Sequence, residues 1–507
     1  MKKSTKNWMS RLNSRSASLR SPRSLRCESL EERQVLSVNP VASVGDTVTS
    51  DTMDTVSYVS EGPALSSIPA ATFAVTGTTL EAERVIRDLG TIDSSLVWTA
   101  VDESTGEDFY RVQTTHDTLL TLEGIPRKDH HEIELTLYDA DFQVLGSSVQ
   151  VGENFRVELD ALSDETFYFT IKAPAVTEVT ILNAIAIDGT GVTVIGSEGD
   201  DTFQFGDAQG GTKVVLNGIE YEIDSQDVLS LTYHGNGGDD TVFLYDSAGS
   251  DTFHIQPGEL VAWNDTGTWS VTADGFSTLH VYSAVGGDDT AYLYDSVASD
   301  KFKAEPGVAK MLRHGEYYNR AKGFAQVRAI AGNGGSDVAL LQGSTGDDQL
   351  TAQMDETRLV GQSYDVSARG FYNTITWGMG GNDVAIITDS VLDDTVRARP
   401  HKVSMWGGDG TAPDYEIVAR DFDNVTLLAT QGGYDRAKLH DSALDDLFEL
   451  GRQLARMSSN LEALNVIYEA IAFEWVKAYS SSGIDVVSGL EDRHDYEAVL
   501  DGEWYEK

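Results

Sequence analysis

The chain is poor in several residue types, and each scarcity excludes a class of protein. Its 507 residues include one cysteine, Cys27, which leaves no disulfide framework and no thiol site in the rest of the chain. No apolar run approaches the ~18 residues of a membrane span. Lysine and arginine number 37 against 81 acidic residues, a net charge of −44. Such a surface repels nucleic acid and anionic lipid, so we expect no nucleic-acid partner and no membrane span.

Motifs for catalysis are also scarce. The chain has no G-x-S-x-G elbow and no phosphate-binding glycine loop with Lys and Ser. Residues 130–132 (His-His-Glu) begin like a zinc motif, but no second histidine stands at the H-E-x-x-H spacing. Carboxylate pairs are inevitable among 81 acids and carry no information. Arg313, Lys322 and Arg328 are candidate bases, although a solvated strand face is the favoured interpretation. We therefore expect a protein that is not an enzyme.

A phrase of about 48 residues recurs five times after residue 235. Its core reads G-G-x-D-x-A-x-L-x-D-S-x-x-x-D-x-F, and the copies occupy residues 237–253, 286–302, 334–350, 380–396 and 432–448. A fixed period of this size indicates stacked or radially arranged supersecondary units.

Aspartates recur at fixed places in this phrase and form the candidate metal site. The first aspartates are Asp240, Asp289, Asp337, Asp383 and Asp435, and Asp201 stands in an earlier related phrase. Eleven residues after the first aspartate of each copy come Asp251, Asp300, Asp348, Asp394 and Asp446. Six residues after it, in four of the five copies, come Asp246, Asp295, Asp389 and Asp441. For any one of them a turn-capping role is favoured, whereas the whole column favours a cation, because stacked carboxylates repel one another.

Apolar and polar residues alternate on both sides of the glycine pair, as in half-buried strands. For residues 190–490 we predict an Asp-rich all-β repeat domain, with a parallel β-solenoid as first choice because the period divides into two rungs of about 24 residues. A five- or six-bladed β-propeller is second, since the G-G doublet and the period resemble kelch repeats. Residues 449–478 fit a sixth, degenerate unit, with an amphipathic helix as the alternative. Residues 491–507 are assigned to an acidic tail.

Residues 75–188 contain alternating strands separated by polar turns, which is typical of a β-sandwich. Their order, with D-x-Y-R, L-T-L, L-Y-D-A and T-F-Y-F-T-I, resembles the bacterial pre-peptidase C-terminal domain, a jelly-roll-like accessory module. Some members of that family bind calcium or polysaccharide. The resemblance therefore singles out Asp108, Asp139 and Asp141, although turn capping is the favoured role for each.

The phrases V-I-G-S-E-G-D-D-T-F-Q-F (194–205) and G-N-G-G-D-D-T-V-F (235–243) resemble the nonapeptide of RTX, or hemolysin-type, calcium-binding repeats. In that family, turn carbonyls and aspartates of successive turns enclose calcium, a cation that takes six to eight oxygens. Here the turn occurs once per ~48 residues, so two adjacent turns must meet in space to complete a site.

The N-terminus is a separate segment. Residues 1–37 are basic and serine-rich and end in R-S-L-R-C-E-S-L-E-E-R-Q-V-L-S, which resembles the LEPR-XLL leader of large planctomycete repeat proteins. That resemblance implies export or a cell-surface location. Residues 38–74 lack a sustained period and are predicted to form a disordered linker.

The resulting hypothesis is an extracellular or cell-surface structural or adhesion protein that binds divalent cations, calcium in the first place, and a polysaccharide. The alternatives are a β-helix polysaccharide lyase or hydrolase, and a kelch-like propeller binding module. Trp263, Trp269, Trp377 and Trp406 are candidate sugar-stacking residues, although core packing is favoured for them.

Overall fold

The structure is a computed structural model that describes residues 71–72, 85–92, 94–100, 104–126, 133–151, 153–173, 177–188, 190–211, 213–222, 230–408, 413–461 and 464–507. All of these belong to one compact unit, Gly62–Lys507. The predicted leader, the linker before residue 71 and the His-His-Glu segment at 130–132 lie outside the described residues. Every regular element described is a β-strand, so the all-β prediction is confirmed.

The first eleven strands form a β-sandwich. They are β1 (Ala71–Thr72), β2 (Val85–Ile92), β3 (Ser95–Ala100), β4 (Ser104–Thr114), β5 (Thr118–Ile125), β6 (Glu134–Tyr138), β7 (Val144–Ser147), β8 (Val149–Val151), β9 (Asn154–Ala161), β10 (Thr166–Ala173) and β11 (Thr177–Asp188). Sheet A has the order β1-β2-β4-β10-β6-β7, and β11, β5, β9, β8 and β3 begin sheet B. Alternate residues such as Leu120, Leu122, Leu135 and Phe169 are fully buried between the two sheets.

The remaining strands form the repeat domain. Its first half contains β12 (Gly191–Ile195), β13 (Thr202–Phe205), β14 (Lys213–Leu216), β15 (Ile219–Glu222), β16 (Ser230–His234), β17 (Thr241–Tyr245), β18 (Asp251–Gln256), β19 (Glu259–Asn264), β20 (Ser270–Asp274), β21 (Thr278–Tyr282), β22 (Thr290–Tyr294), β23 (Lys301–Glu305), β24 (Val308–Arg313), β25 (Tyr317–Lys322), β26 (Gln326–Ile330), β27 (Val338–Gln342) and β28 (Gln349–Gln353). Its second half contains β29 (Glu356–Val360), β30 (Asp365–Arg369), β31 (Asn373–Trp377), β32 (Val384–Thr388), β33 (Asp394–Arg399), β34 (Lys402–Gly407), β35 (Tyr415–Arg420), β36 (Asn424–Leu428), β37 (Arg436–His440), β38 (Asp446–Leu450), β39 (Leu454–Leu461), β40 (Leu464–Ile471), β41 (Trp475–Tyr479), β42 (Val486–Ser488), β43 (Glu497–Asp501) and β44 (Tyr505–Glu506).

These strands wind into a β-solenoid of about seven turns with two facing sheets, which confirms the first-choice fold; the propeller is not observed. The chain alternates between sheet B, which includes β18, β22 and β26, and a third sheet, sheet C, which includes β23, β27 and β31. Strands on neighbouring turns pair in parallel within each sheet, as in β18–β22–β26 and β23–β27–β31. Each unit also contains a three-stranded antiparallel meander. The meanders alternate between the sheets, with β18–β20 in sheet B, β23–β25 in sheet C and β28–β30 in sheet B.

Local sequence explains the tips of the meanders. Pro257–Gly258 joins β18 to β19 and Pro306–Gly307 joins β23 to β24. Proline presets φ for the first central position of a turn, and glycine accepts the positive φ of the second. Gly258 and Gly307 have φ of 76° and 80°.

Between the two sheets lies a continuous core built from the inward residue of each alternating pair. Phe253, Phe302 and Phe448 are among its largest fully buried side chains. Outward positions on the same strands are only partly buried, so each strand has one core face and one solvent face, as the alternation predicts.

The sandwich and the solenoid share a sheet. The first half of β11 pairs with β3, and its second half pairs with β12 of the solenoid. Arg156 reinforces this junction, since it pairs with the buried Glu123 at 2.5 Å and donates to the backbone carbonyl of Glu220 at 2.8 Å. The sandwich therefore covers the first turn of the solenoid.

Of the two interpretations of residues 449–478, the structure has the sixth unit. The described residues 449–461 and 464–478 contain the end of β38, β39, β40 and most of β41, and no helix. Residues 491–507 are not a separate tail, because β43 and β44 pair with β41 and β42. Leu500 and Trp504 pack against the core there. The acidic residues around them led to the assignment of a tail.

Candidate metal centres at the turns

In the described residues, six turns between sheets are closed by the D-S-x-x-x-D part of the repeat or by a G-S-x-x-x-D counterpart of it. In the second unit, Ser296 donates its backbone N–H to Asp300 Oδ2 at 2.8 Å and its hydroxyl at 2.7 Å. The same hydroxyl accepts the N–H of Ala298 at 3.2 Å. Serine suits this position because it serves the backbone as both donor and acceptor. The equivalent serines are Ser197, Ser247, Ser344, Ser390 and Ser442.

The first aspartate of each copy ties its turn to the preceding one. Asp300 N–H donates to Asp337 Oδ1 at 2.7 Å, and this bond joins two turns of the solenoid. The equivalent donor and acceptor pairs are Asp201–Asp240, Asp251–Asp289, Asp348–Asp383, Asp394–Asp435 and Asp446–Asp485. Turn capping, the favoured role for a single aspartate, is therefore what each of these carboxylates does locally.

The glycine pair permits the close approach that these bonds require. Gly287 has φ of 131° and Gly433 has φ of 102°. A Cβ at either position would overlap the carbonyl of the preceding turn, at Gly249 and Leu392 respectively. Only glycine combines this φ with so little space.

Where the aspartate six residues on is present, a third carboxylate joins each pair. Asp295 accepts the N–H groups of Gly332 and Asn333 at 3.0 and 3.2 Å, so it also bridges adjacent turns. In each of the resulting triads, one carboxylate oxygen per residue lies within 4.8 Å of the others, and all three residues are buried. The four triads are Asp246–Asp251–Asp289, Asp295–Asp300–Asp337, Asp389–Asp394–Asp435 and Asp441–Asp446–Asp485.

The triads carry negative charge that no protein cation balances. Among the described residues, no lysine, arginine or histidine forms an ion pair with any triad carboxylate; the nearest compensation comes from N–H and O–H donors. Burial, together with the charges of neighbouring aspartates, raises the pKa of Asp251 and of Asp337 to about 6 and that of Asp435 to about 7. Each triad therefore favours taking up a proton or a cation.

One triad also contains a buried acceptor without a partner. Asp446 is 3% exposed, and its Oδ1 atom has no hydrogen-bond donor in the described structure. A buried carboxylate oxygen without a partner is costly. A bound cation would satisfy it.

Two turns hold two aspartates where the others hold three. At Asp201–Asp240 and Asp348–Asp383 the third position is glycine, Gly196 and Gly343. Neutral donors serve these pairs: Asn217 Nδ2 lies 2.6 Å from Asp201 Oδ1, and the Tyr364 hydroxyl lies 2.6 Å from Asp348 Oδ1. Asp383 Oδ2 also lacks a protein donor, and burial raises the pKa of Asp383 to about 6. One proton suffices to neutralise much of such a pair.

Of the fifteen aspartates predicted from the sequence, eleven lie in the triads. The other four form the two pairs Asp201–Asp240 and Asp348–Asp383. The prediction from the sequence omitted Asp485, which completes the last triad. The signal was present, because Asp485 follows Phe473 at the spacing that separates Phe371 from Asp383. The capping serines were also omitted, although they stand in the repeat.

Other candidates fall elsewhere. Asp139 caps its own turn by accepting the N–H of Asp141 at 2.9 Å, and Asp108 pairs with Arg87 at 3.1 Å. Trp269 is buried in the core, whereas Trp263 is 39% exposed. Trp377 and Trp406 lie on the outer face of sheet C.

The triads suit a hard cation. Oxygens bound to one calcium at 2.3–2.6 Å lie up to about 5 Å apart, which accommodates the separations in each triad. Each carboxylate oxygen accepts more than one partner, so the turn hydrogen bonds leave lone pairs for a metal. Three carboxylates supply three to six of the ligands that calcium takes.

Comparison with known proteins gives one structural similarity, to a domain that matches a small part of the chain. No family model and no curated protein matches the chain. Among solved structures, the pre-peptidase C-terminal domain of a collagenase from Bacillus anthracis aligns with 8% identity and a TM-score of 0.16 over 19% of this chain and 92% of that domain. The strands and turns described above show a β-repeat protein with Asp-rich groups that could hold a metal ion. A search of the described residues for a helix long and apolar enough to cross a bilayer finds none.

Proposed function

We propose that this protein is a calcium-stabilised structural component of a cell surface or extracellular matrix, in which each triad holds one calcium ion between two turns. The observation that carries the proposal is the set of four buried triads without a protein counter-charge. Asp337 and its equivalents belong to one copy of the repeat and the other two ligands to the preceding copy. A bound cation would therefore fasten adjacent turns together.

Two resemblances in the sequence support the same role. The residue 1–37 leader resembles a segment of exported repeat proteins, and the phrases at 194–205 and 235–243 resemble calcium-binding RTX repeats. Millimolar calcium outside cells would load sites of modest affinity, in the range of extracellular calcium modules. The polysaccharide partner remains part of the proposal, as a ligand of the solenoid surface.

A non-enzymatic role is retained for a physical reason. Arg313 and Lys322 lie on β24 and β25 of sheet C, whereas Arg328 lies on the outer face of sheet B and pairs with Asp365 at 2.7 Å. The candidate bases thus do not converge on one carboxylate group, as a lyase site requires.

Thermal unfolding tests the calcium proposal. We expect the melting temperature in millimolar calcium to exceed that in EDTA by several degrees, since a ligand at 100 times its Kd adds about 2.7 kcal/mol per site. Magnesium should stabilise less, because it demands a tighter octahedral arrangement. Equal melting temperatures in calcium, magnesium and EDTA would reject the proposal. Antibody labelling of intact cells tests the surface location.

A further inference from the structure

The outer face of sheet C concentrates positive charge on a protein whose net charge is −44. In its first part, Arg320 on β25 stands directly opposite Lys310 on β24, which stands directly opposite Lys303 on β23. Three cations therefore follow one another across three adjacent strands. We call them the first cation row.

A second cation row lies farther along the same face. Arg420 on β35 stands opposite Lys402 on β34, which stands opposite Arg399 on β33. Two residues before Arg399 on β33, Arg397 stands opposite Lys438 on β37. Five strand spacings separate β23, which carries Lys303, from β33, which carries Arg397. This distance is about 24 Å at 4.7–4.9 Å per strand.

Both rows lack acidic partners. Among the described residues, no ion pair within 4 Å involves the three residues of either row. Acids are present on this face but form no ion pair with the rows: Glu305 shares β23 with Lys303, and Glu416 shares β35 with Arg420 and accepts from Asn373. Asp501 pairs with Lys477 at 2.7 Å. Arg420 Nε is buried without an acceptor.

Sheet B has the opposite arrangement. Its outward arginines have acidic neighbours: Arg328 and Arg358 both contact Asp365 at 2.7 Å, and Arg456 stands opposite Glu469 and contacts it. The strands of both sheets come from the same repeat and pack on the same core, so the repeat itself does not require rows of cations.

The rows are unfavourable in the protein alone. Like charges directly opposite one another destabilise a sheet, and the acidic turns beyond about 8 Å are largely screened at physiological salt. Burial and the positive charge of the rows lower the pKa of two neighbouring histidines. The pKa of His280 falls to about 3 through burial and the charges of Arg320 and Lys310, and that of His440 falls through burial and the charges of Arg399 and Arg397.

Aromatic rings accompany the rows. Trp377 stands opposite Arg420, the Arg397 guanidinium lies 5.7 Å from the Trp406 ring, and Arg320 donates to the Tyr282 hydroxyl at 2.6 Å. Sugar rings stack on such side chains, while their carboxylate or sulfate groups bind arginine and lysine.

We propose that the outer face of sheet C binds a linear acidic polysaccharide, which lies across the strands and contacts both cation rows. The inference deepens the polysaccharide part of the proposed function and rests on it. A second copy of the chain would fit less well. The residue before the second aspartate of each turn accepts an N–H from the next turn, and these residues are Asp200, Ser250, Ser299, Asp347, Asp393 and Asp445. This row of four aspartates and two serines offers less negative charge than a glycan with one acid per sugar.

The test uses calorimetry of the full chain with size-defined heparin and polygalacturonate, and with neutral dextran as a control. All titrations are made in EDTA, so that the result does not depend on the calcium sites, whose occupancy is measured without glycan. We expect binding of an acidic glycan and not of dextran, with an affinity that falls as salt rises. Absence of binding to both acidic glycans would overturn the inference and leave the calcium proposal standing.

Two triple variants locate the surface. Arg399→Gln with Lys402→Gln and Arg420→Gln should lower the affinity roughly tenfold or more and leave the melting temperature unchanged or higher. Arg358→Gln with Arg369→Gln and Arg456→Gln removes equal charge from sheet B and should change the affinity less than threefold. Equal losses in both variants would contradict the proposed face. Salt-sensitive self-association that only the first variant abolishes would assign the face to a second copy, and equally tight duplex DNA binding would assign it to nucleic acid; either result overturns the inference.

Discussion

Four turns of the solenoid hold three aspartates, and two turns hold two aspartates and a glycine. Both kinds of turn share the serine cap, the hydrogen bond between adjacent turns and the strands that follow. The third aspartate is therefore not needed to fold the turn. It adds a buried negative charge, which is costly unless a proton or cation compensates it. The comparison indicates that the triads, and not the pairs, are built for an ion.

The difference between triads and pairs is tested most strongly by adding the missing carboxylate to one of the pairs. A Cβ on Gly343 would overlap the carbonyl of Gly378 and lie 2.5 Å from Asp348 Oδ2. We expect Gly343→Asp to reduce the free energy of unfolding by about 1–3 kcal/mol without adding a calcium site. Urea unfolding in EDTA measures this, with Thr345→Asp as an exposed control of equal charge. A stable Gly343→Asp protein with one more calcium would show that the pairs are unfilled triads.

A milder change should turn a triad into a neutralised site. In Asp337→Asn, the side-chain carbonyl can still accept the N–H of Asp300, while one negative charge disappears. We expect the free energy of unfolding in EDTA to rise by about 1 kcal/mol and the number of bound calcium ions to fall by one.

The matched control is Asp383→Asn, in which the acceptor for the N–H of Asp348 is likewise kept. It should leave the calcium number unchanged. If Asp337→Asn binds as many ions as the parent, or if it is less stable in EDTA than Asp383→Asn, the triads are turn caps only.

The smallest effect should come from pH. The pKa values of Asp251 and Asp337 are raised from 3.8 to about 6 and that of Asp435 to about 7. Between about pH 4 and 7 the folded protein thus binds more protons than the unfolded chain, so stability in EDTA falls as pH rises. Asp365, whose pKa is lowered by Arg358 and Arg328, acts in the opposite sense below pH 4.

Calcium should reverse the trend, because protons compete with it for the same carboxylates. Melting temperatures at pH 5 and pH 7.5, with calcium and with EDTA, check both signs. Stability in EDTA that rises steadily from pH 5 to 7.5 would contradict the raised pKa values.

Much of the architecture follows from the sequence because the repeat is strict. The alternation around Leu244, Leu293 and Leu439 is enough to place strands, and the aspartate spacing is enough to pair adjacent copies. The alternation of the meanders between sheets does not follow, because a strand period of two is the same in either sheet. The fused sheet at β11–β12 depends on which edge of β11 is free, and that is a tertiary property.

The candidate site divides in the same way. The third aspartates at 246, 295, 389 and 441 are visible as a column, and so is the glycine that replaces them at 343. Their burial, the approach of their oxygens to within 4.8 Å and the unpartnered Asp446 oxygen require the folded arrangement. The cation rows of sheet C are invisible in a chain with net charge −44, since they arise only when distant strands pair.

The most direct test is the number of calcium ions bound at saturation, measured by titration calorimetry and checked by equilibrium dialysis at pH 7.5. The triads predict about four ions per chain, one for each triad. No uptake at millimolar free calcium would contradict the proposal that the triads bind calcium, and six equivalent ions would contradict the distinction between triads and pairs.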